Sequence, residues 1–237
     1  MKYLIALLFS YFTIYSVTRN ITKPKKFPTA LTSSTGPYKM ISEGQTLLKE
    51  GDLVVRLNQD PASQFIKNFN RHDKSYSHSG IVLFENGYPY VFHIINGEEN
   101  PDERIRKDSL KQFCSPRKNM AYGIFRYAMT PDEIKKLKDI IYKWYAEGIE
   151  FDSLFNLNTD NRMYCSEMVS KALSSATNNR IRIKTTGLTI TEALTFSAYT
   201  HLPFSYARRL KVISIDDLYT NSICRLIKRY NYKMAKD

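Results

Sequence analysis

Cys165 is the residue in this sequence best suited to covalent chemistry. It lies in Met163-Tyr-Cys-Ser-Glu-Met-Val169, where a polar stretch passes into apolar residues at helical spacing. A thiol at a helix N-terminus is close to unpaired backbone N–H groups and to the positive end of the helix dipole, which both favour the thiolate. We therefore expect a lowered Cys165 pKa and a nucleophilic role.

Two histidines that precede the cysteine are predicted to lie side by side. His78 and His93 fall in candidate strands 77–84 and 88–95, which are separated by Glu85-Asn86-Gly87. Asn-Gly between apolar runs is a strong hairpin signal. With a two-residue turn the imidazoles share one face as diagonal neighbours, their backbones roughly 7–8 Å apart. A three- or five-residue loop would place them on opposite faces.

Each residue also has an ordinary explanation. A single histidine in a strand is usually structural, and a cysteine on an amphipathic helix is more often part of the core. The conjunction of a thiol at a helix start with two histidines on one face favours catalysis. His72 and His201 lack such support and are interpreted as surface or loop residues.

Metal binding by His78, His93 and Cys165 is conceivable, but the closely spaced ligand pairs of a zinc site are missing. We therefore expect no metal and no other cofactor. Three cysteines, an odd number at wide spacing, indicate no disulfide framework. Cys114 and Cys224 are interpreted as buried thiols, although a bridge between them stays open.

The charge of the chain indicates which binding partners it favours. The 237 residues carry a formal net charge of +12, which favours anionic surfaces such as lipid or cell-wall polymers. No helix-turn-helix, zinc-finger or other nucleic-acid motif accompanies the charge, so no nucleic acid is expected.

The chain divides into four predicted segments. Residues 1–18 contain an apolar run of about fifteen residues, short of the roughly 20 that span a bilayer, so a signal peptide is favoured and an N-terminal membrane anchor stays open. A flexible basic linker (19–40), a folded domain (41–230) and a basic tail (231–237) follow. A cell-envelope location is expected, secreted, periplasmic or anchored by the first segment.

Within the domain, the pattern predicts alternating strands and helices. The clearest helix begins with the capping box Thr130-Pro-Asp-Glu133 and stops at Gly148. Further predictions are a helix from about residue 41 to 51, strands at 52–57, 121–127 and 210–214, a helix at 63–70, a helical turn at 109–113, and a helix that begins at Asp216. The rest of 96–118 is predicted to be irregular.

Several segments together resemble the circularly permuted papain-like hydrolases of the NlpC superfamily, especially the YiiX/YaeF-like group. The resemblance covers roughly residues 45–225. Its matching pieces are Gly51-Asp-Leu-Val-Val55, Ser77-His-Ser-Gly-Ile-Val-Leu83, Tyr90-Val-Phe-His93, Phe151-Asp-Ser-Leu-Phe155, Tyr164-Cys-Ser-Glu-Met-Val169 and the segment 213–218. It implies an α+β fold, in which an antiparallel sheet or small barrel packs against helices that include the cysteine helix. Lecithin:retinol acyltransferase-like proteins share the motif order, with two histidines before the cysteine.

The resulting hypothesis is a cysteine hydrolase that cleaves an amide through an acyl-enzyme, with a cell-wall peptide as one candidate substrate. Cys165 is the expected nucleophile, His78 the general base and acid, and His93 the residue that orients His78. Tyr164, Ser166 and Glu167 are candidates for substrate or oxyanion contacts, and helix capping is the alternative for Ser166 and Glu167. Two other functions stay open: a lipid-directed acyl hydrolase or acyltransferase, and a non-catalytic lipid- or wall-binding module.

Overall fold

The structure, a computed structural model, describes residues 36–98 and 100–232. The predicted signal peptide or anchor, most of the linker and the end of the basic tail lie outside the described residues. The helices are α1 (Pro37–Leu47), α2 (Pro61–Lys67), α3 (Leu110–Phe113), α4 (Pro131–Glu147), α5 (Cys165–Ala176), α6 (Ile190–Thr200) and α7 (Phe204–Ala207), with a 3₁₀ turn at Asp216–Leu218.

The strands are β1 (Leu53–Asn58), β2 (His78–Glu85), β3 (Tyr88–His93), β4 (Arg106–Ser109), β5 (Asn119–Tyr127), β6 (Glu150–Phe151), β7 (Arg162–Met163), β8 (Thr186–Gly187), β9 (Lys211–Val212) and β10 (Cys224–Asn231). Six of them form one antiparallel sheet in the order β10-β5-β1-β2-β3-β4. The expected α+β class is confirmed.

Apolar side chains alternate across this sheet and form a core on each face. Leu53 and Val55 of β1 join a cluster with α4 and α5, whereas Val54 joins a cluster with α1 and α3. Alternate strand residues point to opposite faces, so a central strand with both faces covered is apolar throughout. A third cluster lies outside the sheet between α2, α6 and the segment around β9.

The β2–β3 hairpin has the predicted register. Asn86 and Gly87 both have positive φ, at 50° and 82°, as a two-residue type I′ turn requires, and Glu85 pairs with Tyr88. A Cβ on Gly80 would lie 2.8 Å from the Phe92 carbonyl oxygen and 3.1 Å from the His93 Cβ. Glycine at position 80 therefore lets the two histidine-bearing strands approach each other closely.

Other expectations were wrong in part. Residues 37–40, assigned to the linker, form the first turn of α1, which begins with proline in its first turn. The predicted irregular segment contains β4, and the C-terminal region contains β10, whose residue 231 had been assigned to the tail. Strand β4 reads Arg-Lys-Asp-Ser and shows no apolar alternation, so only its pairing with β3 defines it. The helix expected from Asp216 is only a 3₁₀ turn.

Among the described residues, no helix combines the length and the apolar character needed to cross a bilayer.

Candidate active site

Helix α5 presents the Cys165 thiol from its first residue. Tyr164 is the N-cap in an extended conformation, and its backbone N–H donates to the Glu167 carboxylate at 3.3 Å. The apolar face of α5, which includes Met168 and Val169, packs into the core beside β2. The helix start is thus fixed against the strand that carries His78.

Strands β2, β3 and β4 bring three side chains into a hydrogen-bonded chain. His78 Nε2 lies 2.9 Å from His93 Nδ1, and His93 Nε2 lies 3.2 Å from Asp108 Oδ2. Both imidazoles are buried, and the Phe113 ring packs against both of them. The predicted contact between the two imidazoles is confirmed.

The charge on Asp108 determines which nitrogen of each histidine carries a proton. Burial would raise the Asp108 pKa, but hydrogen bonds from His93 and Arg106 hold it below its ordinary value. The carboxylate is therefore ionised at neutral pH and can only accept hydrogen bonds. His93 Nε2–H therefore donates to Asp108, which makes His93 Nδ1 an acceptor. His78 Nε2–H then donates to His93, and His78 Nδ1 is left with a free lone pair.

Burial keeps both histidines neutral. Desolvation, reinforced by the nearby Arg56 guanidinium, lowers the His78 pKa well below 6.5. Desolvation also lowers the His93 pKa to about 4, against the opposing effect of Asp108. Arg56 is itself buried, donates to the Phe113 carbonyl at 2.9 Å and lies over the Phe113 ring. At neutral pH, His78 is thus a neutral imidazole that can accept a proton.

The expectation of a lowered thiol pKa is wrong for the free protein. Burial raises the Cys165 pKa above its ordinary value, because desolvation outweighs the groups that favour the thiolate. Those groups include the backbone of Ser79, the backbone N–H of Ser166 and the Arg56 charge. A neutral thiol and a neutral imidazole therefore line the same cavity in the free protein.

Cys165 and His78 line the same cavity, whose volume is about 850 Å³. Ser79, the neighbour of His78, favours the Cys165 thiolate through its backbone, so β2 carries both the imidazole and a group that acts on the thiol. Both residues are therefore open to the same cavity. The structure thus joins His78 to His93 by a hydrogen bond and places Cys165 and His78 in the lining of one cavity, in which His93 has no part among the described residues.

The three other predicted site residues have structural contacts. The Tyr164 hydroxyl accepts from the Ile213 N–H at 2.8 Å, and the Ser166 hydroxyl donates to the Ile213 carbonyl at 2.7 Å, although both residues line the cavity. Glu167 is fully buried, forms a 3.0 Å ion pair with Lys171, and has its pKa raised to about 7 by desolvation. The contacts of Tyr164 and Ser166 attach the start of α5 to the segment around residue 213.

Sequence reasoning missed Asp108 and Arg56. Asp108 lies in a charged stretch without strand periodicity, and only the pairing of Val91 with Asp108 in β3–β4 brings it beside His93. Arg56 interrupts an apolar strand, which is a signal for a buried charge with a specific environment. His72 and His201 are exposed, as expected, and Cys114 and Cys224 are both free thiols.

A thiol at a helix start that shares a cavity with one of two hydrogen-bonded histidines, on an antiparallel sheet, is the arrangement expected of a papain-like hydrolase. Residues 47–219 match the family model described as "permuted papain-like amidase enzyme, YaeF/YiiX, C92 family". The match covers more than half of the chain, so the chain belongs to this family. The family resemblance that the sequence motifs indicate is thereby confirmed.

Two relatives illustrate the family. The uncharacterized protein YiiX of Escherichia coli (strain K12) is 24% identical over 133 residues, which are 55% of this chain and 60% of that protein. A crystal structure described as the metalloprotein YiiX of Escherichia coli O157:H7 superposes with a TM-score of 0.62 at 20% identity, covering 76% of this chain and 96% of that one. The second similarity supports the fold alone.

The described residues do not fit a metal centre at this site. None of them form a group of three or more His, Cys, Asp or Glu side chains placed to hold a metal ion. His78 Nε2 and both nitrogens of His93 are already engaged in the relay to Asp108.

Proposed function

We propose that this protein is a cysteine amidase that forms an acyl-enzyme on Cys165. Its relay is Asp108–His93–His78, which adds a carboxylate to the expected Cys-His-His site. The observation that carries the proposal is that this relay ends on a neutral imidazole in the cavity that also contains the thiol. The papain-like amidase description of the family supports the same reaction class.

Acylation begins when substrate excludes water from the cavity. His78 Nδ1 takes the Cys165 proton as the sulfur attacks the amide carbonyl carbon, so that a C–S bond forms and the carbonyl oxygen becomes negative. The imidazolium of His78 is stabilised through His93 by the Asp108 charge. His78 then gives the proton to the amide nitrogen as the C–N bond breaks, which leaves a thioester and a free amine.

The oxyanion is stabilised by backbone donors at the start of α5. The Cys165 N–H belongs to the first helical residue and has no acceptor within the helix. Such a donor is aimed at charge that develops in the transition state, and loss of one typically costs roughly 10²–10³-fold in rate. Water, activated by His78, then hydrolyses the thioester and restores the thiol.

The test is turnover of amide substrates by the full chain. Wild-type protein and Cys165→Ala are assayed with murein peptides, with simple N-acyl aminocoumarin amides and with phospholipid vesicles. We expect amide cleavage by the wild type, and none above background by Cys165→Ala with an unchanged circular dichroism spectrum. Equal cleavage by both proteins would refute the proposal, and products from vesicles alone would support the lipid-directed alternative.

A further inference from the structure

A second cavity, of about 880 Å³, lies next to the one that contains Cys165, and Lys118 is the one described residue that lines both. Its lining is strongly basic. Among the described residues it includes a single carboxylate, that of Asp108, and five cationic side chains, which are Arg56, Arg106, Lys111, Arg117 and Lys118. An excess of one charge in a concave surface concentrates its field there, so the lining favours an anionic ligand.

The cations of this second cavity differ in how firmly they are held. Arg56 of β1 is only 2% exposed, and its guanidinium donates to the Phe113 carbonyl at 2.9 Å. Lys111 of α3 and Arg117 of the loop after α3 are exposed, and neither forms an ion pair with a described residue. The cavity thus combines one fixed, buried charge with two charges on exposed side chains.

The carboxylate of Asp108 is already engaged on both of its oxygens. Oδ1 accepts from Arg106 at 2.7 Å, and Oδ2 lies 3.2 Å from His93 Nε2. Because Asp108 is held by these two partners, its charge is directed to Arg106 and to the relay. It therefore does little to offset the charges of Lys111 and Arg117.

A phosphate group fits this lining better than a carboxylate does. A guanidinium binds two phosphate oxygens at once, and a phosphate dianion has further oxygens for additional donors. Ser115 and Gln112 supply neutral donors in the same lining. The volume of about 880 Å³ is within the roughly 300–1,000 Å³ typical of small-molecule sites, so it leaves room for the organic part of a phosphorylated molecule.

The second cavity also adjoins the relay. Asp108 is the end of the relay, and Arg56 is the cross-strand partner of His78 in the β1–β2 register. After desolvation, the positive charge of Arg56 contributes to the lowered pKa values of His78 and His93. An anion beside Arg56 would counter that charge, so the environment of both imidazoles should depend on whether the cavity is occupied.

We propose that the second cavity binds the phosphate group of a small soluble molecule, and that this occupant acts on the relay through Arg56 and Asp108. The proposed site is separate from the cavity in which Cys165 would cleave an amide. Its test needs no turnover, so it can fail or succeed independently of the proposed function.

The first experiment measures binding of pyrophosphate, inorganic phosphate and acetate to the full chain by calorimetry at physiological ionic strength. We expect saturable binding of one pyrophosphate per chain, weaker binding of phosphate, and none of acetate. Arg117→Gln should weaken pyrophosphate binding about tenfold or more, because it removes a charge-assisted hydrogen bond. Arg182→Gln removes an exposed arginine outside the cavity and should leave the affinity unchanged.

Equal losses in the two variants would show that pyrophosphate binds to the general positive charge of the surface, and would overturn the proposal. Absence of saturable pyrophosphate binding, or acetate binding as tightly as phosphate, would overturn it as well.

The second experiment locates the occupant relative to the relay. Ring nitrogen resonances of the four histidines are recorded by ¹⁵N NMR at neutral pH with and without pyrophosphate, and are assigned with single His→Gln variants. We expect the His78 and His93 signals to shift on binding, while those of the exposed His72 and His201 stay in place. Saturable binding that leaves the His78 and His93 signals unchanged would overturn the link between this cavity and the relay.

Discussion

Two regions of the candidate active site differ in how their side chains are held. One side is the β2–β3–β4 hairpin region, where short sequence separations and strand register fix His78, His93 and Asp108 in a buried polar relay. The other side is the apolar cluster between α2 and α6, which joins residues more than a hundred positions apart by apolar contacts. In the proposed function, the first side supplies the groups that move the proton.

This difference has a physical origin. A proton relay needs hydrogen-bond geometry within a few tenths of an ångström, and paired strands supply it because their register fixes each side chain. Apolar contacts tolerate larger displacements and changes of side chain. Substitutions in the relay should therefore change rate constants, whereas conservative ones in the apolar cluster should have smaller effects.

The largest effect is expected from loss of the proton acceptor. His78→Ala should lower kcat/KM about 10⁴-fold, the upper end for removal of a positioned base. The control is His72→Ala, at an exposed histidine in the loop before β2, which should retain full activity. A His78→Ala protein with more than a tenth of wild-type kcat/KM and a normal thermal unfolding curve would show that the hairpin side does not drive the reaction.

Asp108→Asn tests the end of the relay. The amide can still accept a hydrogen bond from His93, but it carries no charge to stabilise the His78 imidazolium, so kcat should fall about 10²-fold. KM should change little because Asp108 does not line the Cys165 cavity. Asp160→Asn, at an exposed carboxylate on a different loop, is the matched control. Equal kcat values for the two variants would contradict the role of Asp108.

The buried histidines should make stability depend on pH. The His93 pKa falls from 6.5 in the unfolded chain to about 4 in the folded protein, so between these values the unfolded state binds more protons. The resulting stability is present above pH 6.5 and is lost as pH falls towards 4, by up to about 3 kcal/mol from His93. Urea unfolding at pH 7 and pH 4.5 measures this loss.

His93→Asn provides the control for that measurement, because it removes the titrating ring. The fall in unfolding free energy between pH 7 and pH 4.5 should be smaller in this variant than in the wild type. An identical fall in both proteins would assign the acid sensitivity to other groups.

The smallest effect is expected from loss of a hydrogen bond between the start of α5 and the segment around residue 213. Tyr164→Phe removes the hydroxyl that accepts from the Ile213 N–H and leaves that buried N–H without this partner. The unfolding free energy should fall by about 1–3 kcal/mol, while kcat changes less than threefold. A loss of activity of 10²-fold or more in a stable Tyr164→Phe protein would instead indicate a direct contact with the substrate.

The placement of His78 and His93 on the β2–β3 hairpin could be predicted from the sequence, but the apolar cluster between α2 and α6 could not. Asn86-Gly87 determines the turn, and the turn determines that His78 and His93 meet, so a local signal was sufficient. Asp108 lies in a strand defined only by pairing with β3, and α6 was not predicted as a helix. The prediction of a lowered Cys165 pKa was wrong for a related reason. The sequence shows that Cys165 begins a helix, but it does not show the burial of the thiol, which raises the pKa by more than the helix start lowers it.

The most direct test of the central claim is mass spectrometry of the protein quenched during the first turnover of an N-acyl amide. The account predicts one acyl group per chain, mapped to Cys165, formed at a rate that His78→Ala lowers about 10⁴-fold. Product release without any covalent acyl intermediate, or an acyl group on Cys114 or Cys224 instead, would contradict it.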